Sequence, residues 1–285
     1  APSIMANSEL TWETTKQWNV GVDFGFFNNR LSGTVDLYLQ HTSDLLLERQ
    51  IPVVSGFGSV LSNVGETKNK GIEISLSSLN INTKSFQWTT DVMFYANKES
   101  IESLYNGKVD DIGNKWFIGH PINVHYDYEK IGIWQNTSED LAEMEEFNKN
   151  GANFKSGDIK IWDNGDKKIT EADRKILGST SPKFIASMVN SISYKGFDFS
   201  IFLYASVGAM LNNNIEYLNK PGRANSIVID YWTPTNPTNA YPRPSVDNAS
   251  PAYVKSLQYE KADFIRVRNI TLGLSLIHIS EPTRH

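Results

Sequence analysis

Apolar and polar residues alternate with period two over long runs of this chain. Val20, Val22, Phe24 and Phe26 alternate with Asn19, Gly21, Asp23 and Gly25. Beyond Asn28-Asn29, the residues Leu31, Gly33, Val35, Leu37 and Leu39 alternate with Ser32, Thr34, Asp36, Tyr38 and Gln40. Alternation on both sides of an Asn-Asn pair predicts a β-hairpin, because asparagine tolerates the positive φ that tight turns require. Further on, Ile72, Ile74 and Leu76 oppose Glu73, Ser75 and Ser77, and residues 86–104 read as a strand with a bend near Asn97. A second hairpin turns at Lys195-Gly196, with Phe197, Phe199, Ile201, Leu203, Ala205 and Val207 on one face of its return strand. A last strand places Phe264, Arg266 and Arg268 at every second position. The two arms of the first hairpin run to roughly 9–11 residues, beyond the common soluble length of about 5–6.

The connections differ in kind. The two turns are tight, whereas residues 106–120 and 136–180 are polar and rich in Gly, Asn, Asp and Lys. Residues 211–258 carry Pro221, Pro234, Pro237, Pro242, Pro244 and Pro251, which keeps them out of a central strand. Asp140–Lys149 is the best helix candidate, with Asp140 near the N-cap and acids in the first turns. No domain boundary stands out. Long strands with one apolar and one polar face, short turns and long loops describe an outer-membrane β-barrel. A soluble β-sandwich, with its apolar face turned inward, shares the alternation.

Composition narrows the chemistry. A net charge of −5 over 285 residues argues against a nucleic-acid binder. The absence of cysteine excludes thiol chemistry, disulfides and Cys-built zinc sites. The five histidines (His41, His120, His125, His278, His285) never fall in an H-x-x-x-H or H-x-H spacing, so a His-built zinc site has little support. No apolar run reaches the length of a transmembrane helix, and no signal peptide is visible. No nucleophile elbow, phosphate loop or dinucleotide fingerprint occurs, so an enzyme is not expected. Asp23, Asp36, Glu73, Asp91 and Asp198 fall on polar strand faces and read as lumen-lining groups.

Several stretches, in order, resemble the SusC/RagA type of TonB-dependent outer-membrane protein. They are "LTWETTKQWNVGVDFGFFNNRLSGTVDLYLQHTSDLLL", the Asn63, Gly65, Asn69, Gly71, Glu73 pattern of "NVGETKNKGIEISL", and Gly119, Pro121 and Ile122 of "FIGHPINVHYDYEKIGIWQ". "GDIKIWDNGDKKITEADRKILGSTSPKF", "YWTPTNPTNAYPRP" and "ADFIRVRNITLGLSL" follow. The resemblance implies an all-β fold: part of a large antiparallel transmembrane barrel, about ten of roughly 22 strands, with long extracellular loops and a short helix or two. Residues 1–276 would be the partial barrel, lacking the family's plug and TonB segment, and the chain a C-terminal barrel fragment. The tail "IHISEPTRH" (277–285) reads as non-native, resembling translated sequencing adapter, so His278 and His285 carry no functional weight. The implied role is import of a glycan or peptide across the outer membrane of a Gram-negative, Bacteroidota-like cell. The implied partners are a SusD-like lipoprotein, the TonB complex, the substrate and membrane lipid. A soluble carbohydrate-binding sandwich and a passive porin are the alternatives.

The stretch "WDNGDKKITEAD" holds the candidate metal ligands. An EF-hand-type calcium loop takes oxygens at positions 1, 3, 5, 7, 9 and 12, with Gly at 6. With Asp173 at position 12, Asn164, Asp166 and Thr170 occupy 3, 5 and 9, but Trp162 falls at 1 and Lys167 at 6. Asp163 could swing in, with Asp158 as a distant substitute. The competing reading is a turn at Asp163–Asp166 and a helix capped by Thr170 and Asp173 and ended by Gly178. The balance favours the turn, so no cofactor is expected beyond a calcium ion in this loop. Among the aromatics, Trp88, Tyr95, Tyr105 and Trp134 fit an interfacial girdle. Trp116, Tyr231 and Trp232 lie in loops and are the candidate ligand-binding residues. The "PTNPTNAYPRP" loop is either a stiff docking surface for the lipoprotein or a rigid surface loop.

Overall fold

The computed structural model describes residues 4–213, 228–244 and 251–275. The suspected non-native tail, with His278 and His285, and Pro221 lie outside the described residues. The chain first forms β1 (Ile4–Met5), β2 (Thr14–Phe26), β3 (Leu31–Ser43), β4 (Leu46–Gln50), β5 (Ser59–Asn63), β6 (Glu66–Asn82) and β7 (Phe86–Ser103). Next come β8 (Val124–Tyr128), β9 (Lys130–Ile133), α1 (Ser138–Lys149), β10 (Ile159–Ile161) and β11 (Arg174–Ser179). The last elements are β12 (Phe184–Tyr194), β13 (Phe197–Val207), β14 (Met210–Asn212), β15 (Tyr259–Lys261) and β16 (Phe264–Leu274). Contacts divide the chain into two compact units, residues 1–123, 181–209 and 262–285 in the first and residues 124–180 and 210–261 in the second.

The first unit is built on a seven-stranded antiparallel sheet in the order β16-β13-β12-β7-β6-β3-β2. Among the described residues seven long strands stand where roughly ten were expected; the other strands are short and, apart from the N-terminal β1, lie in the connections. Every neighbour in the sheet is the next long strand in the chain, so the topology is a meander. Tight turns join β2 to β3, β6 to β7 and β12 to β13. Asn28 and Asn29 take φ of 56° and 61°, and Lys195 and Gly196 take 46° and 87°, the left-handed values such hairpins need. The other three connections, residues 44–65, 104–183 and 208–263, are long. β7 runs unbroken through Asn97, contrary to the expected bend; the irregularities of its pairing with β6 fall at Glu66/Thr67 and Leu79/Ile81. A further register shift at Phe202/Leu203 leaves Arg268 between the partners Val267 and Asn269, breaking its alternation with Arg266.

The register collects the apolar residues of all seven strands on one face. Val22, Val35, Ile74, Phe94, Ala186, Ala205 and Ile265 form one row, and Phe24, Gly33, Leu76, Val92, Met188, Leu203 and Val267 the next. None of these side chains is buried; Trp18 is 76% exposed and Leu272 75%. The sandwich alternative fails here, because among the described residues no second sheet covers this face. From Phe184 to Tyr194 the face spans about 34 Å along the strand. At a barrel tilt of about 45° that is about 24 Å of height, the thickness of an outer-membrane apolar band. One polar cluster interrupts the face and satisfies itself: Asn80 donates to Thr90 at 2.8 Å, and Thr90 and Trp88 donate to Asn190 at 2.7 and 3.1 Å.

The second unit is made of parts of two long connections and has a water-excluding interior. Trp134, Met144, Phe147 and Phe154 form one buried cluster, and Ile133, Ile159, Ile161 and Trp232 the other. Thr137, not Asp140, caps α1: the Asp140 amide donates to the Thr137 hydroxyl at 3.2 Å. The Asp140 carboxylate instead accepts from the Gln135 amide and from Lys160, both at 2.8 Å. Trp134, expected in a membrane girdle, is 1% exposed and lies edge-on to Phe147. Its aromatic surface is used up inside the unit.

Candidate functional site

The polar face of the sheet gathers the acids that alternation assigned to it. Asp36 pairs across to Glu73, Glu73 to Tyr95, and Asp91 to Ser77, all on the face opposite the apolar rows. Thr34, Asp36, Glu73, Ser75, Tyr95 and Ser187 line a shallow concavity of about 330 Å³. Tyr95 is therefore a residue of this face and not of the girdle; its hydroxyl lies 3.2 Å from that of Tyr38, which donates to Asn97 at 2.9 Å. Glycine is required at Gly71, where a Cβ would run into the Tyr38 ring. Trp88 does stand on the apolar face, toward the short-turn end. Tyr105 lies under the Arg49 guanidinium, 5.5 Å from its ring centroid.

The acidic loop sits in the second unit. Single carboxylate oxygens of Asp163, Asp166 and Asp173 come within 4.8 Å of one another. Local donors already hold them. Asp173 is fully buried; its Oδ1 accepts from the Asn164 amide at 3.0 Å and its Oδ2 from the Thr170 amide at 2.6 Å. Asp163 Oδ2 accepts from Gly165 and Lys167, Asn164 Oδ1 from Asp166, and Asp166 Oδ1 from Lys168. The Thr170 hydroxyl accepts from Ala172 at 3.2 Å and donates to Asp173, completing a capping box. Asp163 Oδ1 is buried without a partner in the described structure. Lys167 keeps the sharp turn of the missing glycine, with φ of 58°. These five side chains carry eight oxygens, six of them already engaged in local hydrogen bonds, where a calcium cage takes six to eight oxygens. Asp158 is occupied elsewhere, accepting from Arg243 at 3.0 Å.

The capped helix is only one turn, Glu171–Asp173, and Gly178 does not end it: Gly178 lies inside β11, paired with His125. The local charge is balanced from a distance. Glu143 accepts from Lys160 at 2.7 Å and Lys167 at 2.8 Å, and these bonds hold its carboxyl below the usual glutamate range. Burial works against the Lys160 charge, but its bonds to Asp140 and Glu143 prevail and raise its pKa. Sequence reasoning missed this network and the bond from Tyr259 to Asp127 at 2.9 Å, because partners so far apart leave no local pattern.

The three aromatic candidates fall in different units and differ in exposure. Trp116 is half-buried in the first unit, pairing with Asp111 and lining a small apolar crevice with Ile101, Leu104 and Ile122. Trp232 is 5% exposed in the core of the second unit and donates its indole N–H to Gln135 at 2.8 Å, leaving no face for a ligand. Tyr231 alone keeps an open ring, 40% exposed. The Pro-rich loop is tied down: Asn239 accepts from the Ile133 amide at 2.9 Å, and Lys130 donates to the Asn239 and Ala240 carbonyls.

An antiparallel meander with an uncovered apolar face, a polar face, tight turns and long connections is a wall of an outer-membrane β-barrel. A family described as TonB dependent receptor-like, beta-barrel matches residues 1–135. TonB-dependent receptor P3 of Formosa agariphila is 34% identical over 288 residues, 95% of this chain and 28% of that protein. TonB-dependent receptor SusC of Bacteroides thetaiotaomicron is 30% identical, over 94% of this chain and 26% of that protein. The structure of the RagAB peptide transporter superposes with a TM-score of 0.71 and 26% identity, covering 94% of this chain and 29% of that one. The chain belongs to the TonB-dependent receptors of the SusC/RagA type, which are outer-membrane proteins and not enzymes. It spans under a third of the length of these relatives.

Proposed function

We propose that the full-length protein imports a glycan or peptide across the outer membrane, driven by TonB, with a SusD-like surface lipoprotein capturing the cargo. The observation that carries the reading is the two-faced sheet: an apolar face for lipid backs a polar face lined by Asp36, Glu73 and Asp91. Kinship with SusC and RagAB supports the partnership. Uptake by cells carrying or lacking the full-length gene tests it. Loss of uptake of one oligosaccharide or peptide class on deletion, and on collapse of the proton gradient, is the expected result. Uptake that survives the collapse would mark a passive porin.

We also propose that the acidic loop works as a self-held turn without a cation. The donors to Asp163, Asn164, Asp166 and Asp173 support this. Calcium is expected to leave proteolysis of the loop unchanged. Calcium-dependent protection abolished by Asp166→Ala would overturn the proposal.

A further inference from the structure

At the long-connection end of the sheet, beyond the apolar rows, the lipid-facing side turns cationic. Trp18, Leu39, Lys70 and Lys98 stand side by side on β2, β3, β6 and β7, and Lys16, His41, Lys68 and Ser100 form the next row. Strand and row spacings put the four lysines in a patch about 14 Å wide and 7 Å high. Lys70 and Lys98 are direct cross-strand partners, and like charges so placed repel. Among the described residues no ion pair or hydrogen bond relieves any of the four. Of the acids on this side, Glu66 is paired with His41 at 3.5 Å and Glu102 accepts from Ser100 at 3.1 Å. The opposite rim is built otherwise. There the apolar face ends on Phe86, Tyr194 and Phe197, and Arg30 is bound to the Leu79 and Asn80 carbonyls.

Long connections mark the extracellular side of such a barrel. Lysines beside an apolar surface lay their stems along it and raise the ammonium to headgroup level, where a basic cluster attracts anionic lipid. We propose that Lys16, Lys68, Lys70 and Lys98 bind the phosphates of a phosphorylated glycolipid in the extracellular leaflet. The patch is wide enough for more than one phosphate, and the opposed Lys70 and Lys98 supply the uncompensated charge. The proposal rests on the outer-membrane assignment and is independent of the cargo.

The test uses the full-length receptor in detergent micelles doped with lipid A or with lipid A stripped of its phosphates. The phosphorylated lipid should bind in preference. Lys68→Gln/Lys70→Gln/Lys98→Gln should weaken its binding about 10- to 100-fold, while arginine at the same positions retains it. Lys84→Gln/Lys195→Gln, at the other rim, should change nothing. Equal binding of the two lipids, unchanged binding by the triple glutamine variant, or an equal loss in the rim control overturns the proposal. If the triple variant does not insert, Lys70→Gln and Lys98→Gln singly replace it, and undiminished binding by both overturns the proposal as well. Uptake is not read, so failure here leaves the import reading standing.

Discussion

The apolar face of the seven-stranded sheet and the second unit treat their apolar residues in opposite ways. The sheet arranges them in rows across seven strands and buries none of those rows, leaving Leu272 and Trp18 about as open as on an unfolded chain. The second unit folds Trp134, Phe147, Ile133 and Ile159 to 2% exposure or less. One chain therefore meets two solvents. In water, apolar surface must find a partner within the protein. In a bilayer, lipid is that partner, and the sheet needs only closed backbone hydrogen bonds and a continuous apolar surface. A region without a core is thus not an unstable region when its solvent is hydrocarbon.

The same truncation in the two units should separate them most clearly. Phe147→Ala in the second unit should cost about 3–5 kcal/mol, because a close-packed site cannot refill the cavity. Phe94→Ala on the sheet should cost only about 0.5–1.5 kcal/mol, the loss of its stacking on Phe184 at 5.6 Å, since lipid fills the space. Equilibrium unfolding of the full-length protein in vesicles compares them, and equal costs would break the contrast. A charge reverses the order: Leu76→Arg, in the middle of the apolar face, should destabilise insertion by about 2–4 kcal/mol.

Smaller effects sharpen the picture of the second unit. Tyr259→Phe should cost about 1.5–3 kcal/mol by removing the donor to the Asp127 carboxylate. Burial, then that bond, pushes the Tyr259 pKa up to about 12, so spectrophotometric titration of the variant should show one late-ionising phenol fewer than the parent. Glu143→Gln should cost less, below about 1 kcal/mol, because the pair is partly exposed and screened. Its sign with pH is fixed: a depressed folded pKa stabilises at neutral pH, and the contribution is lost as pH falls below the ordinary value of 4.5. Thermal unfolding of the second unit should show parent and variant converging on acidification. A difference that persists at low pH would mean the effect is packing and not charge.

How much could be read in advance follows from the distance over which each feature is decided. Alternation and turn residues are local, so the hairpins at Asn28-Asn29 and Lys195-Gly196 were legible, and with them the two-faced sheet. The turn at Asp163–Asp166 and the Thr170–Asp173 box were legible for the same reason, since donors and acceptors lie within four residues. The fate of single aromatics was not. Trp134 and Tyr95 both looked like girdle residues, yet one is a core residue of the second unit and the other lies on the polar face of the sheet. Trp232 looked like a loop aromatic free for a ligand until Gln135, 97 residues away, took its indole N–H.

By itself the sequence determined the strand period, the polarity of each face, the tight turns and the order of long and short connections, because each depends on neighbours a few residues apart. Only the tertiary structure decided that seven strands and not ten share the sheet, that β7 runs straight through Asn97, and that parts of two long connections fold into a unit with its own core. It also decided that Lys70 and Lys98 face each other on the lipid side. Register and packing between segments far apart in the chain set these features, and no local pattern of residues encodes which distant partner arrives.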